Sequence, residues 1–295
     1  MRFVLTIALV ATLATSSGAY DLLYTGDTAV TPTAGSFGLS GGFLYFMADS
    51  EFDSEGESVD WPEDFTMTRV WVPIDIYYGV MDNLQVGATP VFMMDTFEYP
   101  VFRNTSEATG TGVGDTWLWT KFMFMPEPMM TARLGVKLPT GEDEPDEEEL
   151  ATGSGQMDID AAVLFGAPAG PGTFDAAIGY RYRMDREVGE MRYDYTPGNE
   201  LHFFACYTHY FNDMFDMRVG ADGFFGSDPE ADGEPIPDPS NPSVSMTGRN
   251  AVYINPGIDY MMDSGLSIGV DMHYPLMGQN IDADWGFGLT LAWGT

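Results

Sequence analysis

The chain holds 1 cysteine in 295 residues. A lone Cys206 excludes an intrachain disulfide framework, and a small residue on a strand is the usual use of such a position. Basic residues are few: 12 Lys and Arg stand against 45 Asp and Glu, a net charge of −33. That balance repels DNA, RNA and anionic lipid surfaces, so no nucleic-acid partner is expected. It suits cations, or a salty habitat. Histidine is rarer still, with 3 residues: His202, His209 and His273. His202 and His209 are an odd number of positions apart, so on a strand they face opposite sides. A barrel lipase or acyltransferase needs a nucleophile beside a base, and no Gly-x-Ser-x-Gly elbow is present. No catalytic residue and no cofactor are assigned. Past the first residues there is no α-helical period, and no run of about 18 apolar residues that would cross a bilayer as a helix.

The start of the chain reads as an export signal. Arg2 supplies a positive end, residues 3–14 are apolar, and Ser17-Gly18-Ala19 is a small-residue cleavage site. Residues 1–19 are therefore expected to be a secretory signal peptide, with residues 20–295 as one unit.

The remainder is rich in what strands use. Aromatics make up 14 % and glycine contributes 34 residues. One stretch sets the pattern. Ala132, Leu134, Val136 and Leu138 point one way, and Thr131, Arg133, Gly135 and Lys137 the other, as on a strand with one apolar and one polar face. Before it, Leu118, Phe122 and Phe124 oppose Asp115 and Lys121, and Pro126-Glu127-Pro128 makes a tight reversal. The same alternation predicts twelve strands: 35–49, 64–80, 84–96, 113–125, 129–138, 155–166, 173–185, 199–211, 214–226, 250–261, 265–276 and 281–293. Their lengths suit tilted strands that cross a membrane with about 9–11 residues.

The connections sort by length. Short ones fall at 81–83, 126–128, 167–172, 212–213 and 262–264, and 277–280 is also short. Long polar ones fall at 50–63, 97–112, 139–154, 186–198 and 227–249. Short turns on one rim and long loops on the other mark an outer-membrane barrel. Aromatics precede most short turns: Tyr78, Phe124, Phe165 and Tyr260, as in an interfacial girdle. The last apolar row, Phe287, Leu289, Leu291 and Trp293, is similar to the signal read by the barrel assembly machinery, although the terminal residue itself is not aromatic. The expected fold is all-β: a single antiparallel up-and-down transmembrane β-barrel of about twelve strands, in the outer membrane.

Gly112-Val113-Gly114-Asp115, Lys121, then residues 135–141 (Gly-Val-Lys-Leu-Pro-Thr-Gly) and Gly153-Ser154-Gly155 together resemble one family. It is the outer-membrane channel family named after the meta-cleavage pathway of phenol degradation. That family is distantly similar to the fatty-acid and aromatic-hydrocarbon channels. The resemblance spans residues 112–158 and implies passive uptake of small, aromatic or apolar molecules. It supplies no site residues.

The residues themselves supply candidates. The polar faces would turn Asp115, Lys121, Arg133, Lys137, Asp158, Asp160, Asp175, Arg181, Arg183, Arg218 and Asp271 inward, with Asp259 and Asp284. They could line a solute-selective pore, or neutralise one another and hold a narrow barrel shut. Outside, Glu142, Asp143, Glu144, Asp146 and Glu147 form a dense acidic run. Hard carboxylate ligands suit divalent cations, but the spacing is not that of an EF-hand loop. A solvated loop is the alternative. Outer-membrane lipid, lipopolysaccharide and a small-molecule solute are the expected partners. A structural or adhesive barrel acting through its acidic loops is the rival reading, and a lipid-modifying enzyme a further one.

Overall fold

The computed structural model describes residues 27–63, 65–101, 104–143, 149–188, 193–236 and 247–294. The expected signal peptide, residues 1–19, lies outside them. Period-two patterning becomes twelve long strands. They are β1 (Phe37–Ala48), β2 (Thr66–Met81), β3 (Leu84–Thr89 continuing as Val91–Val101) and β4 (Asn104–Val113 continuing as Thr116–Pro126). Then come β5 (Met129–Leu138), β6 (Asp158–Ala169), β7 (Gly172–Arg183) and β8 (Glu200–Asn212). The last four are β9 (Phe215–Gly226), β10 (Asn250–Met261), β11 (Leu266–Gln279) and β12 (Trp285–Gly294).

Each strand pairs antiparallel with its successor, and β12 returns to β1, with Gly38 opposite Gly294 and Met47 opposite Trp285. The ring is closed, so every ladder has a partner and no strand edge meets lipid. All twelve expected strands are present.

The two faces divide as the pattern requires. Ile178, Tyr180 and Tyr182 of β7 are 57 %, 50 % and 50 % exposed. Trp285, Phe287, Leu289, Leu291 and Trp293 of β12 also point outward. On the other face of the sheet, inward groups such as Lys137, Asp158 and Asp160 are almost fully buried. An apolar skin around the whole circumference with charges inside inverts a soluble protein. The skin is matched by hydrocarbon. Tyr78, Phe124 and Tyr260 stand on it near the short turns.

One connection differs from expectation. Residues 97–112, expected as a long polar loop, are strand: Phe92 pairs with Val113 and the ladder continues to Val101 opposite Asn104. This hairpin carries β3 and β4 beyond the barrel wall. Its second limb, Asn-Thr-Ser-Glu-Ala-Thr-Gly-Thr-Gly-Val, has little apolar contrast because it meets no lipid, and small residues, Ala108 and Gly110, turn its inner face against Phe97 and Leu150. Pro90, and Gly114 with Asp115, interrupt the strands where the extension leaves the wall. β11 also outruns its expected end, reaching Gln279. Its link to β12 carries Ile281–Asp282, which pairs with Ser50–Phe52, itself paired with Ser58–Asp60. A second small sheet joins Arg186–Val188, Tyr193–Thr196, Glu230–Ala231 and Glu234–Pro235.

Candidate functional site in the lumen

The three short motifs of the sequence meet at one point. Asp115 sits at the break in β4, Lys137 near the end of β5, and Ser154 on the segment returning to β6. The Ser154 hydroxyl lies 2.6 Å from Lys137 Nζ and donates to Asp115 Oδ2 at 2.5 Å. Ser154 N–H donates to the same carboxylate at 2.9 Å. Lys137 also pairs with Asp158 at 2.7 Å and Asp115 at 3.5 Å. Gly141 and Gly153 cross so closely that a Cβ on Gly141 would lie 2.6 Å from the Gly153 Cα. The motifs therefore tie a loop inward against the wall. Sequence spacing placed Asp115 and Lys137 on neighbouring strands and Ser154 in a long loop; only the folded loop shows that they bond to one another.

From this knot a line of buried ion pairs runs around β4 to β8. Asp160 Oδ1 stands 3.9 Å from Arg133, and its Oδ2 stands 3.6 Å from Arg181 and 2.7 Å from His202 Nε2. Glu200 then takes Arg181 at 3.1 Å, Arg183 at 3.0 Å and Arg249 at 3.4 Å. The Arg181 guanidinium also lies 5.2 Å from the centre of the Trp117 ring. Charges this deep are tolerated only when paired, and losing one partner of such a pair costs roughly 3–5 kcal/mol. All the candidate groups of β4 to β7 thus face inward, with Asp175 nearer the short-turn rim, and most neutralise one another.

Sequence reasoning missed four members of this wall, one of them Arg249, which immediately precedes β10. Glu200 opens β8 and His202 follows it on the inward face, a pattern visible in the alternation. Asp27 gave no signal, because it precedes the first strand. Its carboxylate bridges Lys121 and Arg133. Residues 27–34 enter the lumen from the short-turn rim. Thr31 donates to the Asp82 carbonyl at 3.0 Å, and Ala34 N–H to the Asp82 carboxylate at 2.9 Å. Ala29 is fully buried among Leu164, Ala177, Phe204 and Cys206. Thr131 donates its hydroxyl proton to the Ala29 carbonyl. Cys206 is accordingly a small packing residue.

The opposite wall is open. A cavity of about 670 Å³ runs along β1, β2 and β9 to β12 and reaches across the lumen to Trp119, Lys121, Arg133, Arg181, Arg183 and Glu200 of the ion-paired wall. Aromatic rings pave it. Phe46 meets Trp71 at 5.4 Å and the edge of His273 at 5.3 Å, and His273 stacks on Tyr253 at 4.0 Å. Lower down, Tyr77 and Trp119 lie 6.4 Å apart. Glycines make room for them: a Cβ on Gly38 would fall 2.0 Å from the Tyr77 ring, and one on Gly87 2.4 Å from Trp119. Arg218 and Asp271 belong to this wall, where Arg218 pairs with Asp259 at 3.3 Å and Asp271 at 3.6 Å. Arg69 holds Asp282 and Asp284 near the long-loop rim.

An apolar cluster of Ala48, Met67, Phe97 and Leu150, with Trp61 and Phe65, packs under the long loops beside this cavity. The acidic run lies outside it. Glu142 and Asp143 are exposed at the rim, and Glu144, Asp146 and Glu147 fall outside the described residues. Among the described residues, no group of three or more potential ligands could hold a metal ion.

No family model matches the chain, and no curated protein matches it. Solved structures do. An outer membrane channel of Pseudomonas putida F1 superposes with a TM-score of 0.71 at 14 % identity, covering 92 % of this chain and 100 % of that one. The toluene transporter of Ralstonia pickettii gives 0.44 at 10 % identity, covering 90 % of each chain. A FadL homologue of Pseudomonas aeruginosa gives 0.39 at 8 % identity, over 88 % of this chain and 89 % of that one. These last two likenesses are too weak to decide anything further. The chain has the closed barrel fold of an outer-membrane channel, in keeping with the distant resemblance carried by its motifs.

Proposed function

We propose that the protein is a passive outer-membrane channel for small molecules, aromatic or apolar ones foremost, rather than an enzyme. Residues 1–19 export it, and the barrel assembly machinery inserts residues 20–295 among lipid and lipopolysaccharide. The aromatic-paved cavity of about 670 Å³ carries this reading. The paired side chains of β4 to β8 bound this space on one side and the aromatic rings bound it on the other, with room for a solute between. A barrel that served only as an adhesive scaffold for its acidic loops would need no such room. The likeness in fold to an outer membrane channel supports the same reading. The ion-paired wall is structural, and the solute passes along the aromatic one. Purified, folded protein in a planar bilayer should give discrete conductance steps, and cells lacking the gene should take up small aromatic solutes more slowly. No conductance together with unchanged uptake would overturn the proposal.

A further inference from the structure

The two walls of the lumen differ in charge balance as well as in packing. Along β4 to β8, cations and carboxylates alternate and bond to one another at close range. Along β1, β2 and β9 to β12 the acids outnumber the cations. Arg69 answers both Asp282 and Asp284, and Arg218 answers both Asp259 and Asp271. Asp75, on the inward face of β2, accepts hydrogen bonds from Thr89 at 2.5 Å and Ser40 at 3.2 Å. Both are neutral hydroxyls, so they hold the carboxylate in place without cancelling its charge. Asp75 lines the cavity with Tyr77 directly beyond it on the same face.

The cavity lining as a whole carries ten carboxylates against seven Lys and Arg, so an excess of negative charge stands among ring faces inside an enclosure. A π face attracts a cation within about 6 Å, the more strongly once water is removed. A carboxylate in the same enclosure adds a charge-assisted hydrogen bond to an ammonium. The same groups repel an anion of equal shape.

We propose that the open half of the lumen is a selectivity site for small aromatic cations, an arylalkyl ammonium being the fitting class. The ring stacks on the Trp71, Phe46, His273 and Tyr253 shelf or beside Tyr77 and Trp119, and the ammonium meets Asp75 or Asp271. This deepens the channel reading and rests on it for its role in transport. The site itself does not require conduction.

Three probes of one shape separate the contributions: benzylammonium, benzyl alcohol and benzoate. Calorimetric titration of the folded, full-length barrel in detergent comes first, in salt high enough to screen the external loops. Benzylammonium should bind at least tenfold more tightly than benzoate, with benzyl alcohol between them. In Asp75→Asn with Asp271→Asn, benzylammonium should fall to within about twofold of benzyl alcohol. Faster gel migration of unheated protein reports that the variant barrel is folded. Should it not fold, the single Asp75→Asn variant carries the test. Benzoate binding as tightly as benzylammonium, no binding of any probe, or a charge preference that survives the substitutions would overturn the proposal. Reversal potentials across a salt gradient keep the two readings apart. Current without cation preference defeats the selectivity site alone, and selective binding without current defeats the channel alone.

Discussion

Glu200 shows how much one buried carboxylate can hold. It faces Arg181, Arg183 and Arg249 at once. Glu200→Gln keeps the shape and removes the charge, leaving those guanidiniums to repel one another. The expected loss is about 3–5 kcal/mol, read as a lower urea midpoint for the barrel in micelles. Gly38 poses a steric version of the same question. With the Tyr77 ring 2.0 Å from where its Cβ would stand, Gly38→Val must displace the ring or bend β1. Overpacking of this kind costs about 1–3 kcal/mol. Gly41→Ala on the same strand, with nothing nearer than 3.8 Å, should cost much less in the same unfolding measurement.

At the scale of elements, two segments narrow the lumen, and each hangs on an aspartate. Residues 27–34 are held at their inner end by Asp27 on Lys121 and Arg133. Asp27→Asn weakens both ion pairs, so the segment should leave the wall more often. Single-channel records should then show a larger mean conductance than the parent protein. The inward loop hangs on Asp115, which takes both the hydroxyl and the N–H of Ser154. Asp115→Asn keeps only part of that set, and the same records should show more frequent transitions between conductance levels. Sequence reading found Asp115, Lys137 and the Gly-Ser-Gly turn as motif positions and assigned the charges to a pore lining. It had no means of seeing that the motifs bond to one another, because bonding across a loop leaves no periodicity.

For the whole molecule, lipid is the structural partner that decides the fold. Ile178 lies at the middle of β7 and is 57 % exposed without lipid. Ile178→Arg places a cation in hydrocarbon and should destabilise the barrel by about 2–4 kcal/mol. In urea titrations into lipid vesicles, a lysine or arginine at an inward, watered position should cost far less. The contrast between the two faces is the test of orientation.

Alternation alone determined which residues face lipid and which face the lumen, because a strand has a period of two and only one of its faces can be wet. It also located all twelve strands and the sorting of short and long connections. It misread 97–112, where strand continues beyond the lipid and the apolar contrast that marks a membrane strand disappears. Only the tertiary structure decided what the inward charges do. Ion pairing depends on distances between strands far apart in sequence, on a loop folded back inside, and on Asp27, which belongs to no strand. Those distances split the lumen into a wall of cancelled charges and a wall of rings and spare carboxylates, a division that no one-dimensional pattern contains.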